Sequence, residues 1–176
     1  IAALDPEIKA RTIVINGMSK AYSMTGWRLG YAVGPREVIS AMARVQSHST
    51  SCPTSIAQYA SVAALNDDRG DLARMTEAMV KRRDTLLQRM EEMPGVTCST
   101  PHGAFYLFPN MSSIYTGRPV HDAMDLCLYL LDVAHIAVVP GDAFGSPDHI
   151  RLSYATSMDR LVTAMDRMSD ALARMK

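Results

Sequence analysis

The stretch NGMSKAYSMTGWRLGYAVGP, residues 16–35, carries a single lysine, Lys20, between two apolar runs. The runs RTIVIN (11–16) and LGYAVG (29–34) are rich in apolar and β-branched residues and are bounded by Gly, Ser and Pro, which is typical of buried strands. Lys20 therefore lies in the connection that leaves the first predicted strand. Because a lysine at the end of a strand is usually an ordinary surface residue, a chemical role depends on its neighbours.

The neighbours of Lys20 suit a ligand that combines an anion with a reactive carbonyl group. Gly26 permits close approach of the backbone, Ser23 offers a hydroxyl, and Arg28 offers a forked cation that matches phosphate. A desolvated amine close to other cations can form a Schiff base with an aldehyde. The stretch therefore indicates a phosphorylated aldehyde, and enzymes hold pyridoxal phosphate through a lysine in this way.

The composition narrows the range of partners. The 18 Lys and Arg residues balance the 18 Asp and Glu residues, so the net charge indicates neither a nucleic-acid groove nor a membrane surface. Cys52, Cys98 and Cys127 form no CxxC pair and the histidines have no zinc-ligand spacing, which argues against a disulfide scaffold and a metal site. We expect a cytoplasmic protein, no metal, no membrane, and a small molecule or another chain as partner.

Helical spacing of apolar residues predicts helices in the first half of the chain. One covers residues 35–47, and a second begins near Thr54 and ends at about Asn66, with Ile56 and Tyr59 among its inward residues. A third begins near residue 70 and is stopped by Pro94–Gly95, which makes it unusually long. A helix of this length can connect two domains.

The second half of the chain predicts a small α/β unit. Short apolar segments, among them GAFYLF and HIRLSYA, alternate with turn residues and with one helix near residues 121–134. A C-terminal helix opens with Thr156 and Asp159 at the spacing of a capping box. Its predicted core positions recur at helical spacing: Leu161, Met165, Met168, Leu172 and Met175. The sequence thus predicts an α/β fold with two domains, residues 1–71 and residues 72–176, the second including the long connecting helix.

The stretch GMSKAYSMTGWRLG resembles, position for position, the cofactor-attachment signature of class I pyridoxal-phosphate-dependent aminotransferases, the aspartate aminotransferase family of fold type I. The resemblance implies that Lys20 is the catalytic lysine bound to the cofactor aldehyde and that Arg28 binds the cofactor phosphate. PGDAFG (140–145) and HIRLSYA (149–155) resemble the substrate motif of the family. They make Arg151 the counterpart of the arginine that binds the substrate α-carboxylate.

The resemblance also implies what surrounds these residues. One position departs from the pattern, because Gly17 stands where some members have a phosphate-binding serine. The family's aspartate that pairs with the pyridinium nitrogen lies a few dozen residues before the lysine, and only nineteen residues precede Lys20. We therefore expect the C-terminal part of such an enzyme: a remnant of the large-domain sheet and a complete small domain, joined by the long helix. We expect this chain alone to lack pyridoxal phosphate and to be inactive.

The activity that the resemblance implies is transfer of an amino group between an amino acid and a 2-oxo acid, by a homodimer. A pyridoxal-phosphate-dependent lyase or decarboxylase would use the same lysine and arginine, and a non-catalytic remnant or regulatory module is a third alternative. The SKAYSMTGWRLGY form favours transamination. The amino acid stays open, because QSHST (46–50) lacks the arginine that holds the substrate side chain in the aspartate-specific branch.

Overall fold

The computed structural model describes residues 1–66, 69–115 and 120–175 and divides the chain into two compact units, Ile1–Arg74 and Met75–Lys176. Both units combine helices with a small antiparallel sheet, which confirms the predicted α/β class. No helix within the described ranges is long and apolar enough to cross a membrane.

The first unit is built around a two-stranded antiparallel ribbon. Its elements in chain order are α1 (Pro6–Ala10), β1 (Val14–Gly17), a 3-10 turn (Thr25–Trp27), β2 (Gly30–Val33), α2 (Arg36–Ser49) and α3 (Ser55–Leu65). In the ribbon Val14 is opposite Val33 and Gly17 is opposite Gly30. The two strands lie where the sequence predicts them, and the connection between them carries Lys20.

The predicted burial of the two strands is wrong for this chain. The side chains of Ile15 and Val33 are 78% and 60% exposed. Among the described residues of the first unit, the only buried apolar side chains are those of Met18, Met24 and Ala57. A ribbon has two faces, and apolar strand residues are buried only where another layer packs on them.

The helix α3 has the predicted bounds but not the predicted inward face. Its N-cap is Thr54, whose Oγ1 accepts a hydrogen bond from the Ala57 N–H at 3.4 Å. Ile56 and Tyr59, predicted to face inward, are 73% and 80% exposed, whereas the small residues Ala57 and Ser61 are buried. The buried face of α3 is therefore narrower than its apolar composition predicts.

The second unit places a three-stranded sheet among the remaining helices. The long helix α4 (Asp71–Glu91) begins in the last residues of the first unit, and its remaining turns belong to the second. There follow β3 (Tyr106–Leu107), α5 (Ser112–Tyr115), α6 (Ala123–Ala134), β4 (Val139–Pro140), β5 (Ile150–Ser153) and α7 (Met158–Arg174). The strand order is β3-β5-β4 and both pairings are antiparallel. The central strand β5 carries Arg151.

The core of the second unit joins α4, α6, α7 and the sheet. Leu86 and Met90 of α4 are 2% and 1% exposed. The predicted core positions of α7 are all buried: Leu161, Met165, Met168, Leu172 and Met175. Because burial of one such side chain stabilises the fold by roughly 1.5–3 kcal/mol, these positions hold α7 on the unit.

The predicted capping box of α7 is wrong by one residue. The N-cap is Ser157 instead of Thr156, and its side chain makes no capping hydrogen bond. Asp159 therefore occupies the second helical position instead of the third, where the box would require it. Its carboxylate is still in the first turn, where it interacts favourably with the positive end of the helix dipole.

Candidate active site

A closed loop between β1 and β2 carries Lys20. The Met18 N–H donates to the Leu29 carbonyl oxygen at 3.2 Å, which joins the two ends of the loop. The side chain of Met18 is fully buried and that of Met24 is 8% exposed. These two methionines fix the loop to the first unit, while Lys20 itself is exposed.

Turns inside the loop set the path of the backbone around Lys20. The Ser23 N–H donates to the Lys20 carbonyl oxygen at 3.3 Å, and Thr25 Oγ1 donates to the Ser19 carbonyl oxygen at 3.2 Å. Ser23 has a φ of 54°, in the left-handed region that non-glycine residues rarely adopt. The loop therefore has a defined conformation in which Lys20 is presented to solvent.

Arg28 lies on a strained backbone at the far end of the same loop. Its φ is 54° and its ψ is 47°, and this left-handed conformation costs a non-glycine residue about 1 kcal/mol or more. The Nη1 atom donates to the Thr25 carbonyl oxygen at 3.2 Å. Strained residues cluster where a ligand must be bound in one geometry. The structure thus places both predicted residues of this stretch, Lys20 and Arg28, on one loop.

Arg151 is half-buried on β5 of the second unit, and the central carbon of its guanidinium lies over two aromatic rings. Its Cζ atom lies 4.4 Å from the ring centroid of Tyr106 and 4.6 Å from that of Phe144. Within the described ranges no carboxylate forms an ion pair with it. The donors of the guanidinium are therefore not used by an internal acid of the described chain.

Sequence reasoning missed the two rings and the turn that supports one of them. Gly141 begins the 3-10 turn Gly141–Phe144; a Cβ there would lie 2.1 Å from the Ser146 carbonyl oxygen and 2.5 Å from that of His149. Only glycine fits this close approach of backbone segments. The signal was present in the segments GAFYLF and PGDAFG, but the strand register is needed to bring their rings to Arg151.

The part of the chain that the structure describes contains no cluster of side chains suited to bind a metal ion. No group of three or more His, Cys, Asp and Glu side chains is arranged to hold an ion there. The groups that the described chain does present are an exposed amine with a guanidinium on one loop, and a stacked guanidinium on the second unit. They suit a carbonyl group, a phosphate and a carboxylate.

Proteins of similar sequence and structure to this chain are aminotransferases. The aspartate aminotransferase of Geobacillus stearothermophilus is 48% identical over 96% of this chain and 43% of that protein. The aspartate/prephenate aminotransferase of Nitrosomonas europaea is 45% identical over 96% of this chain and 44% of that protein. The crystal structure of the Rhizobium meliloti aspartate aminotransferase matches with a TM-score of 0.90 and 47% identity, over 99% of this chain and 45% of that one.

The chain thus spans less than half the length of the proteins that it matches. The family model described as aminotransferase class I and II matches residues 1–168, which include Lys20, Arg28 and Arg151. Enzymes of this family use pyridoxal phosphate, which agrees with the ligand class that the Lys20 loop suits. Since the match extends over nearly every residue, the chain belongs to the family of class I and II aminotransferases.

Proposed function

We propose that the whole protein transfers an amino group between an amino acid and a 2-oxo acid with pyridoxal phosphate as its cofactor. The observation that carries this proposal is the closed loop from Met18 to Leu29, which carries both an exposed lysine and an arginine on strained backbone. The names of the relatives, all aminotransferases, favour transamination over a lyase or a decarboxylase of the same fold.

The chemistry of the loop fits two ends of pyridoxal phosphate. The Lys20 Nζ would hold the aldehyde carbon, and the guanidinium of Arg28 would bind the phosphate with charge-assisted hydrogen bonds. Gly26 lies in the same loop beside open space, since a Cβ there would meet no atom within 4 Å. When bound, the cofactor supplies a ring that withdraws electrons from the substrate Cα.

The three site residues would divide the work of the reaction. Arg151 would bind the substrate α-carboxylate through two parallel N–H donors and so fix the orientation of the Cα–H bond. Lys20 Nζ, once exchanged for the substrate amine, would take the proton from Cα as a general base and would deliver it as a general acid to the carbon that had been the cofactor aldehyde. Arg28 would hold the phosphate throughout, so that the reacting atoms stay in place.

The proposal also covers the amino donor, the oligomeric state and the cellular compartment. The names of the relatives favour aspartate as the amino donor, although residues 46–50 provide no arginine for its side-chain carboxylate. That carboxylate would then be bound elsewhere in the whole protein. A homodimer follows from the family resemblance. All three cysteines have free thiols, which suits the reducing conditions of the cytoplasm.

The Lys20→Ala variant of the whole protein tests the catalytic assignment. We expect turnover of aspartate to be abolished, because the variant can neither hold the cofactor aldehyde nor move the Cα proton. Lys81→Ala, another exposed lysine replaced in the same way, is the control and should retain full activity. Steady turnover by Lys20→Ala without added amine would contradict the assignment. A surface lysine without a role would change stability by no more than about 0.5 kcal/mol and leave activity intact.

The 176-residue chain alone is expected not to be a working enzyme. The chain spans less than half the length of the aminotransferases that it matches, and the family's acid that keeps the ring nitrogen protonated would belong to the rest of the protein. The test is to add pyridoxal phosphate, reduce with borohydride and map the modified lysines. We expect weak labelling spread over the four lysines, Lys9, Lys20, Lys81 and Lys176, without turnover. Specific labelling of Lys20 together with amino-acid turnover would overturn this expectation.

A further inference from the structure

We propose that Tyr106 and Phe144 are positioning residues for Arg151. Together they form an aromatic clamp, which holds the guanidinium against two ring faces and so fixes the position in which it binds a carboxylate. The inference rests on the proposed function, because it takes Arg151 as the residue that binds the substrate α-carboxylate.

The clamp is assembled from three separate elements. Tyr106 lies on β3, Arg151 on the central strand β5, and Phe144 at the end of the 3-10 turn that follows β4. Tyr106 is opposite Ser153 in the register. Since Ser153 and Arg151 are two residues apart, they lie on the same face of β5, and Tyr106 is the diagonal neighbour of Arg151. The sheet register thus brings one ring to the guanidinium, and the turn brings the other.

The central carbon of the Arg151 guanidinium lies over the faces of both rings. The ring centroids are 4.4 Å and 4.6 Å from Arg151 Cζ, well within the range of a cation–π contact. A guanidinium carries five N–H donors, and contact with two ring faces does not pair these donors with an acid. A long side chain held in this way has lost its rotamer freedom before the ligand arrives, which favours binding of the ligand.

Phe144 needs support because its side chain is 47% exposed. Phe108 provides it, with an edge-on contact at 5.9 Å between the ring centroids. Phe108 in turn stacks on His149, at 4.8 Å and an interplanar angle of 17°. This aromatic row continues from the guanidinium into the unit and holds the exposed ring in one orientation.

The test uses Tyr106→Leu and Phe144→Leu in the whole protein. We expect each to raise the KM for aspartate and for the 2-oxo acid by roughly 3- to 30-fold, the range of one cation–π contact, with a smaller change in kcat. Tyr106→Phe and Phe144→Tyr keep an aromatic face, so the KM of each variant should stay within about twofold of the parent value. A twofold change in KM corresponds to a fraction of one cation–π contact. A hydroxyl contact of Tyr106 with the substrate would instead make Tyr106→Phe as damaging as Tyr106→Leu, which would overturn the clamp.

A matched control separates the clamp from general loss of packing. Tyr129 is another partly buried aromatic residue of the second unit, whose hydroxyl donates to the Ala171 carbonyl oxygen at 3.0 Å. Tyr129→Leu should lower the thermal midpoint and leave both KM values unchanged. If Tyr106→Leu fails to fold, Phe144→Leu still tests the proposal, because its half-exposed ring contributes less to the core.

Two further measurements distinguish failure of this inference from failure of the proposed function. Arg151→Lys should raise the KM for aspartate sharply; an unchanged KM would reject Arg151 as the carboxylate ligand and the clamp with it. A large effect of Arg151→Lys, combined with none in Tyr106→Leu and Phe144→Leu, would reject the clamp alone.

Single-turnover reaction with propylamine, which has no carboxylate, should be equally slow in the parent and in both leucine variants. A further loss with propylamine would show a merely structural role of the rings.

Discussion

At the scale of single residues, the surroundings of Gly141 predict a large loss of stability when this glycine is replaced. A Cβ at this position would lie 2.1 Å from one backbone carbonyl oxygen and 2.5 Å from another, and backbone atoms cannot move aside as a flexible side chain can. We expect Gly141→Ala to lower the free energy of unfolding of the second unit by about 2–4 kcal/mol, as measured in urea. It should also displace Phe144, which lies three residues further along the same turn.

Gly103→Ala is the control for Gly141→Ala. A Cβ at Gly103 would meet no atom within 4 Å, so its replacement should change the free energy of unfolding by no more than about 0.5 kcal/mol. Equal effects of the two substitutions would show that the tight turn does not hold this part of the unit. The pair separates the loss of a close approach from the general effect of replacing glycine by alanine.

At the scale of elements, two titratable groups on α5 and α6 predict loss of stability at alkaline pH. Burial, and then Asp122 and Asp142, raise the pKa of the Cys127 thiol to about 11 from an ordinary 9.0. Burial, and then Asp148, raise the pKa of Tyr115 to about 12 from 10.0. The unfolded chain therefore loses these protons at lower pH than the folded chain does. It follows that the free energy of unfolding is constant with respect to these groups below about pH 9 and falls as pH rises toward 11.

The measurement is the thermal midpoint of the chain between pH 8 and pH 11, compared with that of Cys127→Ala. Removing the thiol should make the decline with pH shallower, because one of the two groups no longer titrates. Cys52 is exposed, so Cys52→Ala is the matched control and should leave the slope unchanged. Identical slopes for all three proteins would contradict the prediction.

The elements also show where sequence reasoning succeeds and where it stops. The N-cap Thr54, the stop at Pro94–Gly95 and the core face of α7 could be predicted because capping, helix termination and periodicity are local properties. The exposed face of α3 and the exposure of β1 and β2 could not, since burial depends on which layer covers an element. Likewise the sequence indicates Arg151 by resemblance, whereas its stacking on Tyr106 and Phe144 depends on strand register and on one turn.

At the scale of the whole molecule, burial is distributed unequally between the two units. The hydrophobic core cluster draws all its buried members from residues 86–175. In the first unit, the described residues bury only three apolar side chains. Because local stability follows the amount of buried apolar contact, we expect amide hydrogens of the first unit to exchange faster than those of the second. Equal protection of β1 and β5 amides would contradict this expectation.

The same inequality predicts that the chain associates in solution. Ile15, Val33, Ile56 and Tyr59 of the first unit are between 60% and 80% exposed, and each strand of the described ribbon pairs on one edge only. Apolar side chains and unpaired strand edges both favour contact with another chain. Light scattering at micromolar concentration should therefore detect dimers or larger species.

A double variant of the ribbon and a control variant on α4 test whether the ribbon is the surface through which the chain associates. Ile15→Thr with Val33→Thr keeps β-branched residues in the strands but removes apolar surface, so it should shift the chain toward the monomer. Val80→Thr on α4, where the parent side chain is 41% exposed, makes the same chemical change in the second unit and should leave association unchanged. A strictly monomeric parent chain would refute the prediction at once. Association that persists in the double variant would move the contact away from the ribbon to α3, where Ile56 and Tyr59 supply the remaining exposed surface.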